Sequence, residues 1–482
     1  MALDLIDEAR ITARALADYV GGRGLRLGVT GLSRAGKTVF ITALVHSLLR
    51  GARMPVLRAM SEGRLISARL EPQPDDAVPR FAYEDHLAAL TGGIEGPQAR
   101  HWPQSTRRIS ELRLTLTFES QKRWRKGARN LTIDIVDYPG EWLLDLPLLD
   151  KTYAQWSRET LEASAQAARA HLASEWRGYL TILDAAGAAD EEKARKAAHL
   201  FTAYLRHARD ERYALSTLPP GRFLMPGDLE GSPALTFSPL VMEGDEPAPH
   251  TLGALMQRRY EAYKSYIVKP FFRDHFARLD RQIVLVDALG ALNSGPTAVR
   301  DLEQGLSDVL QAFRTGRNGA LAQIFRPRID KILFAATKAD HLHHSMHDRL
   351  EMIVRHLVAR ALSRGEASGA TMDVIALAAV RATRELRLRD GTREIDAISG
   401  TPLKGEQIGD QIFDGQTEMA IFPGILPEDP RSVFRGEGLA QDESEADWRF
   451  ARFRPPLLSE GAQLPHIRLD RALQFLLADK LT

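Results

Sequence analysis

Residues 2–20 place Leu5, Ala9, Leu16 and Val20 among charges at roughly helical spacing, which predicts an amphipathic helix ended by Gly21-Gly22-Arg23-Gly24. LRLGVT, residues 25–30, reads as a short strand that leads through a glycine-bounded loop into a helix from Lys37 to about Arg50. A second strand is expected over 65–70. At Leu112, Leu114, Leu116 and Phe118 apolar residues alternate with polar ones, the pattern of a strand buried on one face. LTIDIVD (131–137) follows after a turn, so these two strands are expected to pair as a hairpin.

From about Leu146 to Arg281 the pattern changes to alanine-rich helices interrupted by a Pro/Gly-rich stretch at about 216–250, read together as one α-helical insertion. Strand character returns at QIVLVD (282–287), KILFAA (331–336) and DVIALAA (373–379). Between them, Pro296 opens a helix whose Val299, Leu302, Leu306, Val309, Leu310 and Phe313 share a face, and another helix begins near His344. Apolar strands alternating with helices predict a parallel sheet wound with crossovers. The tail from about Arg384 has strand-like runs around Asp390-Gly391, prolines at 423, 427 and 430, an acidic loop QDESEAD, and a last helix presenting Leu469, Leu473, Leu476 and Leu477.

Composition narrows the chemistry. There are no cysteines, which excludes disulfides, thiolate zinc sites, iron–sulfur clusters and cysteine nucleophiles. The charge balance is 64 − 63 = +1, so no global field calls for nucleic acid. Only 12 of the 64 basic residues are lysine, which makes a lysine inside a motif more informative. Asp4, Asp7, Glu8 and Arg10 stand where a signal peptide needs an apolar stretch, and no apolar run reaches the roughly 18 residues of a membrane span, so a cytoplasmic location is expected.

Gly31-Leu32-Ser33-Arg34-Ala35-Gly36-Lys37-Thr38 is a complete G-x-x-x-x-G-K-[ST] phosphate loop between a strand and a helix. Backbone N–H groups from Ser33 to Val39 are expected to wrap the phosphates, Lys37 to face the β/γ-phosphates and Thr38 to offer its hydroxyl to magnesium. Asp137-Tyr138-Pro139-Gly140 follows an apolar strand: Asp137 is the candidate to hold magnesium through water, and the Gly140 N–H to meet the γ-phosphate. Asp287-Ala288-Leu289-Gly290 competes for that role, but Asp137 closes the hairpin before the insertion. Thr337-Lys338-Ala339-Asp340 fits the [NT]-K-x-D pattern that reads guanine, with Asp340 accepting from the ring N–H and exocyclic amine and the Lys338 stem lying along the base. Ala379, Val380 and Arg381 are candidates for the loop whose backbone meets the guanine oxygen. Glu141 follows Gly140 where a water-orienting side chain is expected, and Arg34 is the candidate cis-acting cation. Thr106, with Ser105 beside it, is the candidate threonine that covers magnesium when GTP is bound.

GLSRAGKT, HWPQSTRRISELRLTL, DIVDYPGEWLLDLPLL, VDALGALN and TKADHLHH together resemble the YcjX-like family of bacterial P-loop proteins associated with the phage-shock stress response, and the resemblance covers nearly the whole chain. It implies a GTP-binding and GTP-hydrolysing domain carrying family-specific additions, and the leading reading is an α/β P-loop NTPase of the GTPase type that uses magnesium and switches conformation between GTP and GDP states. The expected organisation is an N-terminal helix (1–24), a discontinuous P-loop domain (25–145 and 281–395), the α-helical insertion (146–280) and a mixed C-terminal extension (396–482). An ATPase using Asp287, or a nucleotide-binding scaffold with negligible turnover, are the alternatives. A protein partner is expected at the insertion. Peripheral contact with the inner membrane is expected at the basic hairpin tip Lys122-Arg123-Trp124-Arg125-Lys126 or the N-terminal helix, and sequence-specific nucleic acid binding is not expected. His343 and His347, four residues apart in a cluster with His341 and His344, have metal-ligand spacing but no clear carboxylate partner, so the segment reads as a solvated helix start.

Overall fold

The computed structural model describes residues 24–482 apart from 32–34, 74, 105–107, 122–126, 210–214, 216–217, 319–328, 360–369, 391–392, 409, 436–449 and 460–461. The N-terminal amphipathic segment, the basic hairpin tip and QDESEAD lie outside the described residues.

Seven strands form the central sheet: β1 (Gly24–Gly31), β2 (Leu65–Glu71), β3 (Ser110–Glu119), β4 (Ala128–Asp137), β5 (Arg281–Val286), β6 (Lys331–Ala336) and β7 (Thr371–Ala376). Their order is β2-β3-β4-β1-β5-β6-β7. β3 pairs antiparallel with β2 and β4, as the hairpin pattern predicts, while β4, β1, β5, β6 and β7 run parallel. This is an α/β fold on a mostly parallel sheet. Every residue of β5 is buried, which is why its Ile283–Val286 stretch reads as an unbroken apolar run rather than an alternation. Successive residues still face opposite sides. Ile283 and Leu285 join Leu27, Val29 and the apolar side of α1 (Lys37–Leu49), whereas Val284 and Val286 join Val136 and Phe334 on the other face.

The alternation at 112–118 predicts one buried face, and here the structure differs. β3 lies between β2 and β4, so Glu111 and Thr115 on its second face are buried too. Glu111 is tolerated there because Arg26 pairs with it, although burial still pushes its carboxyl pKa upward against that pull.

Between β4 and β5 the chain forms α2 (Tyr153–Ala165), α3 (Ser174–Leu180), α4 (Glu191–Ala208), α5 (Leu252–Tyr263) and α6 (Lys269–Asp274). Thr152, Asp190 and Thr251 start α2, α4 and α5 by accepting first-turn N–H groups on their side chains. The interior of this layer is aromatic: Trp156 stacks on Tyr260 at 5.1 Å and Trp176 on Tyr204 at 5.5 Å, with Phe237 edge-on to Trp156. The 3₁₀ run Gly140–Asp150 carries Trp142, Leu143, Leu146 and Leu148 into the same core, so the helical layer grows directly onto the chain that leaves β4.

Beyond β5, α7 (Pro296–Asn318) buries Val299, Leu302, Leu306, Val309 and Leu310 as its periodicity predicts; the Phe313 side chain is outside the described residues. α8 (His347–Leu357) starts after a 3₁₀ turn at His344–Met346. The tail forms β8 (Arg384–Asp390), β9 (Arg393–Gly400), a ribbon of β10 (Gln407–Ile408) and β11 (Gln411–Ile412), and β12 (Met419–Ile421), which pairs with β9. α9 (Leu469–Leu477) returns under the sheet, where Arg281 is fully buried and held by Asp330 at 3.1 Å and by Asp479 just past the helix.

Where the helical layer meets the chain after β4, Gly221 lies so close that a Cβ there would stand 2.0 Å from the Glu141 carbonyl oxygen. Gly221→Ala should therefore lower stability by about 1–3 kcal/mol through overpacking. Gly244→Ala, where a Cβ meets nothing within 4 Å, should change it by less than about 0.5 kcal/mol. Urea midpoints of the two variants check the contrast; equal midpoints would refute it.

Candidate functional site

β1 ends at Gly31, where a Cβ would sit 2.6 Å from the Leu285 carbonyl and 2.9 Å from the Ala35 Cβ, so only glycine lets the chain turn here against β5. Gly36 then takes φ +83°, the left-handed region that favours glycine, and α1 begins at Lys37 with no side-chain cap on its first N–H groups. A helix start left uncapped by its own chain is suited to receiving an anion. Lys37 Nζ donates to the Gly31 carbonyl at 3.1 Å, across the mouth of the loop. Ser33 and Arg34 lie outside the described residues, as do Ser105 and Thr106. The chain leading to Thr106 is nonetheless in place: the carbonyl of Gln104 is 3.5 Å from the Thr38 hydroxyl.

Asp137 sits at the end of β4 in register with Val29 of β1, 1% exposed, which puts its carboxylate beside the strand that feeds the phosphate loop. Asp287 occupies the opposite side of β1, past the end of β5. Its carboxylate is committed twice, accepting from the Gly290 N–H at 3.0 Å and pairing with Lys338 Nζ.

Glu141, the expected water-positioning residue, is held by the helical layer. It does not line the cavity described below; it is 2% exposed, with Arg209 Nη2 at 2.5 Å from one carboxylate oxygen and Gly221 pressed against its backbone. The helical layer has captured the side chain that the sequence places at the water position.

At the end of β6, Lys338 has φ +60° and the chain folds back so that Ala339 N–H reaches the Leu377 carbonyl at 3.1 Å. Asp340 is 4% exposed, and its Oδ2 accepts from the Ala382 N–H at 2.8 Å, which fixes the carboxylate. Thr383 donates its hydroxyl to the Asp340 carbonyl. A cavity of about 310 Å³ joins these parts, from Gly36, Lys37 and Thr38 at one end to Thr337, Lys338 and Asp340 at the other. Val39, Ala379 and Val380 also line it. Arg381 does not: its N–H is used by the Pro465 carbonyl at 2.7 Å and its guanidinium by Thr383 and Glu385, which corrects its expected place at the base.

Trp102, Phe453 and Arg452 are among the cavity residues that the sequence reading missed. Trp102 forms one wall, and its indole N–H donates to the Phe453 carbonyl at 2.6 Å. Phe453 and Arg452 come from the C-terminal extension, with Arg452 held by Glu406 at 2.7 Å. HWPQST is a signal for Trp102; nothing in the local pattern of 450–454 marks the other two.

The sequence profile of the YcjX-like family matches residues 25–481. The Ras-like GTPase YcjX of Escherichia coli (strain K12) is 39% identical over 483 residues, which cover 97% of this chain and 98% of that protein. The Ras-like GTPase YcjX of Shewanella oneidensis is 32% identical over 494 residues, covering 97% of each. The chain belongs to the YcjX-like family.

In this YcjX-like chain the helical layer grips the segment after Gly140 at three further points. Asp145 accepts from the Gly221 N–H at 2.7 Å and from the Tyr263 hydroxyl at 2.5 Å, and the Arg222 guanidinium lies 3.1 Å over the Trp142 ring. Burial pushes the Asp145 carboxyl up from 3.8 to about 6. Since the folded value exceeds the unfolded one, the folded state binds this proton more tightly. Its contribution to stability is full below about pH 4 and is lost as pH rises through about 6. Asp145→Asn keeps an acceptor for Gly221 without the charge. Across about pH 4 to 7, wild type should thus lose up to about 3 kcal/mol more stability than the variant. Parallel stability–pH curves for the two proteins would contradict this.

Proposed function

We propose that the protein binds GTP, hydrolyses it to GDP with magnesium and changes conformation between the two states. The observation that carries this reading is the convergence of Lys37, Thr38 and Asp340 on one cavity, with a phosphate-binding helix start at one end and a fixed carboxylate at the other. Asp340 selects guanine because adenine offers an acceptor where guanine has its ring N–H, and the Lys338 stem and Thr337 complete that wall. The backbone of Ala379 and Val380 faces the guanine oxygen. The ATPase reading is left without support, since Asp287 is engaged by Lys338.

Thr38 and Asp137 are hard oxygen donors, both buried, at the start of α1 and the end of the strand beside β1, and they suit magnesium, with Thr106 added in the GTP state. When bound, the ion supplies neutralisation of charge on the β- and γ-phosphate oxygens. Lys37 leaves the Gly31 carbonyl to face those oxygens, backbone N–H groups from Ser33 to Val39 wrap them, and Gly140 N–H meets the γ-phosphate. Arg34 adds a cis cation. Glu141 orients water once its pair with Arg209 opens, so hydrolysis depends on the grip of the helical layer. The family resemblance supports a stress-response output, and a protein partner is proposed at that layer. No described helix is long and apolar enough to cross a membrane, and membrane contact is proposed only through the N-terminal segment and the hairpin tip.

Asp340→Asn should weaken GDP binding at least tenfold, about 1.4 kcal/mol, and let xanthosine diphosphate partly recover it, measured by nucleotide competition. A wild-type preference for ATP would sink the reading. A second comparison addresses turnover: Glu141→Ala should bind GTP normally yet hydrolyse it slowly in single-turnover assays, while Asp137→Ala should lose magnesium-dependent affinity. If Glu141→Ala keeps wild-type turnover and Arg34→Ala does not, the chemistry belongs to the loop arginine.

A further inference from the structure

The histidine cluster after Asp340 is not the solvated helix start that its sequence suggests. His347 is 3% exposed and spends Nε2 on the Ala339 carbonyl at 2.9 Å, so the His343/His347 pair does not form. Instead His343 and His344 turn toward Glu385, two residues into β8. We infer that His343, His344 and Glu385 bind one divalent transition-metal ion of the zinc class, at the junction of the loop after β6 with the C-terminal sheet.

One ligand atom of each residue lies within 4.8 Å of the others. Glu385 Oε2 is 2.7 Å from His344 Nδ1 and 3.9 Å from His343 Nε2. A tetrahedral ion at about 2.0–2.1 Å from each donor needs donors roughly 3.4 Å apart, a value that the two separations to Glu385 bracket. The outer contacts are those of a ligating set. His343 Nδ1 accepts from the Ser345 N–H at 3.4 Å and lies 2.9 Å from Ser345 Oγ and 3.2 Å from Asp396 Oδ2, which leaves Nε2 as the nitrogen turned to the site. Glu385 spends Oε1 on Arg381 at 3.1 Å and keeps Oε2 for the imidazoles. Two imidazoles and a carboxylate favour zinc over magnesium or calcium, and the exposed His344 leaves the fourth position to water. The sequence conceals the site because its carboxylates lie about forty and fifty residues further on.

An ion here would tie the segment after Asp340 to β8, beside the Thr383–Asp340 hydrogen bond. The inference does not depend on which nucleotide the cavity takes. The test uses full-length protein without a histidine tag, stripped with EDTA, returned to chelator-free buffer and titrated with zinc chloride by calorimetry and with cobalt(II) by absorption. One equivalent should bind with micromolar or tighter affinity, cobalt should show the intense visible bands of tetrahedral coordination, and zinc should raise the melting midpoint. His344→Ala and Glu385→Gln should each bind zinc at least tenfold more weakly and lose the melting shift. His344 is exposed, so its variant should melt like wild type without metal. Lys37→Ala should keep the zinc site whatever it does to nucleotide. Absence of binding to wild type, or binding unchanged in both site variants, overturns the proposal.

Discussion

At Gly31 the chain passes so near the Leu285 carbonyl that no side chain fits, and the phosphate loop turns over the sheet at that approach. β1 must lie between β4 and β5 at full depth for its loop to turn over the edge of the sheet. Gly28 serves the same end, since a Cβ there would meet the Gln282 side chain at 2.3 Å. Parallel pairing then brings Asp137, Asp287 and Thr337 to one edge, because each closes a strand in register with its neighbour. The cavity lies along that edge, where ligands collect in open parallel sheets.

The helical layer between β4 and β5 is built around stacked Trp and Tyr rings, and it has no separate core of its own. Trp142, Leu146 and Leu148 belong to that core, so the segment after Gly140 cannot move without disturbing the layer. The grip combines a buried ion pair, a cation over an indole ring and a carboxylate with a raised pKa. Buried pairs of this kind are strongly destabilising when one partner is removed, yet contribute little net stability when intact.

The C-terminal extension completes the other side. Trp102 donates to Phe453, Arg100 to the Pro455 carbonyl at 2.6 Å, and Arg454 to the Gln98 carbonyl at 2.6 Å. Hydrogen bonds thus hold the approach to Thr106 against residues more than 350 positions later in the chain. The base loop is supported from the same quarter, where the Pro465 carbonyl accepts from the Arg381 N–H at 2.7 Å and the Ile467 carbonyl from the Ala378 N–H at 3.1 Å. Both ends of the cavity therefore depend on chain that follows the P-loop domain.

What the sequence determines by itself is whatever depends on near neighbours. The phosphate loop is legible because strand, glycines, lysine and helix fall within a few residues, and β4, β6 and their terminal Asp137 and Asp340 are legible because apolar runs end at short polar signals. The buried faces of α7 and α9 are legible from spacing alone. The tertiary structure alone decides what depends on chain brought from far away. That Arg209 lies beside Glu141, and that Lys338 pairs with Asp287, is seen only in the folded chain. Arg381 joins the base loop on paper, but Pro465 and Glu385 draw it off. Phe453 and Glu385 give no local sign of their roles. In each case the deciding contact is a side chain or carbonyl from another element, and periodicity carries no information about which distant residue will fill that place.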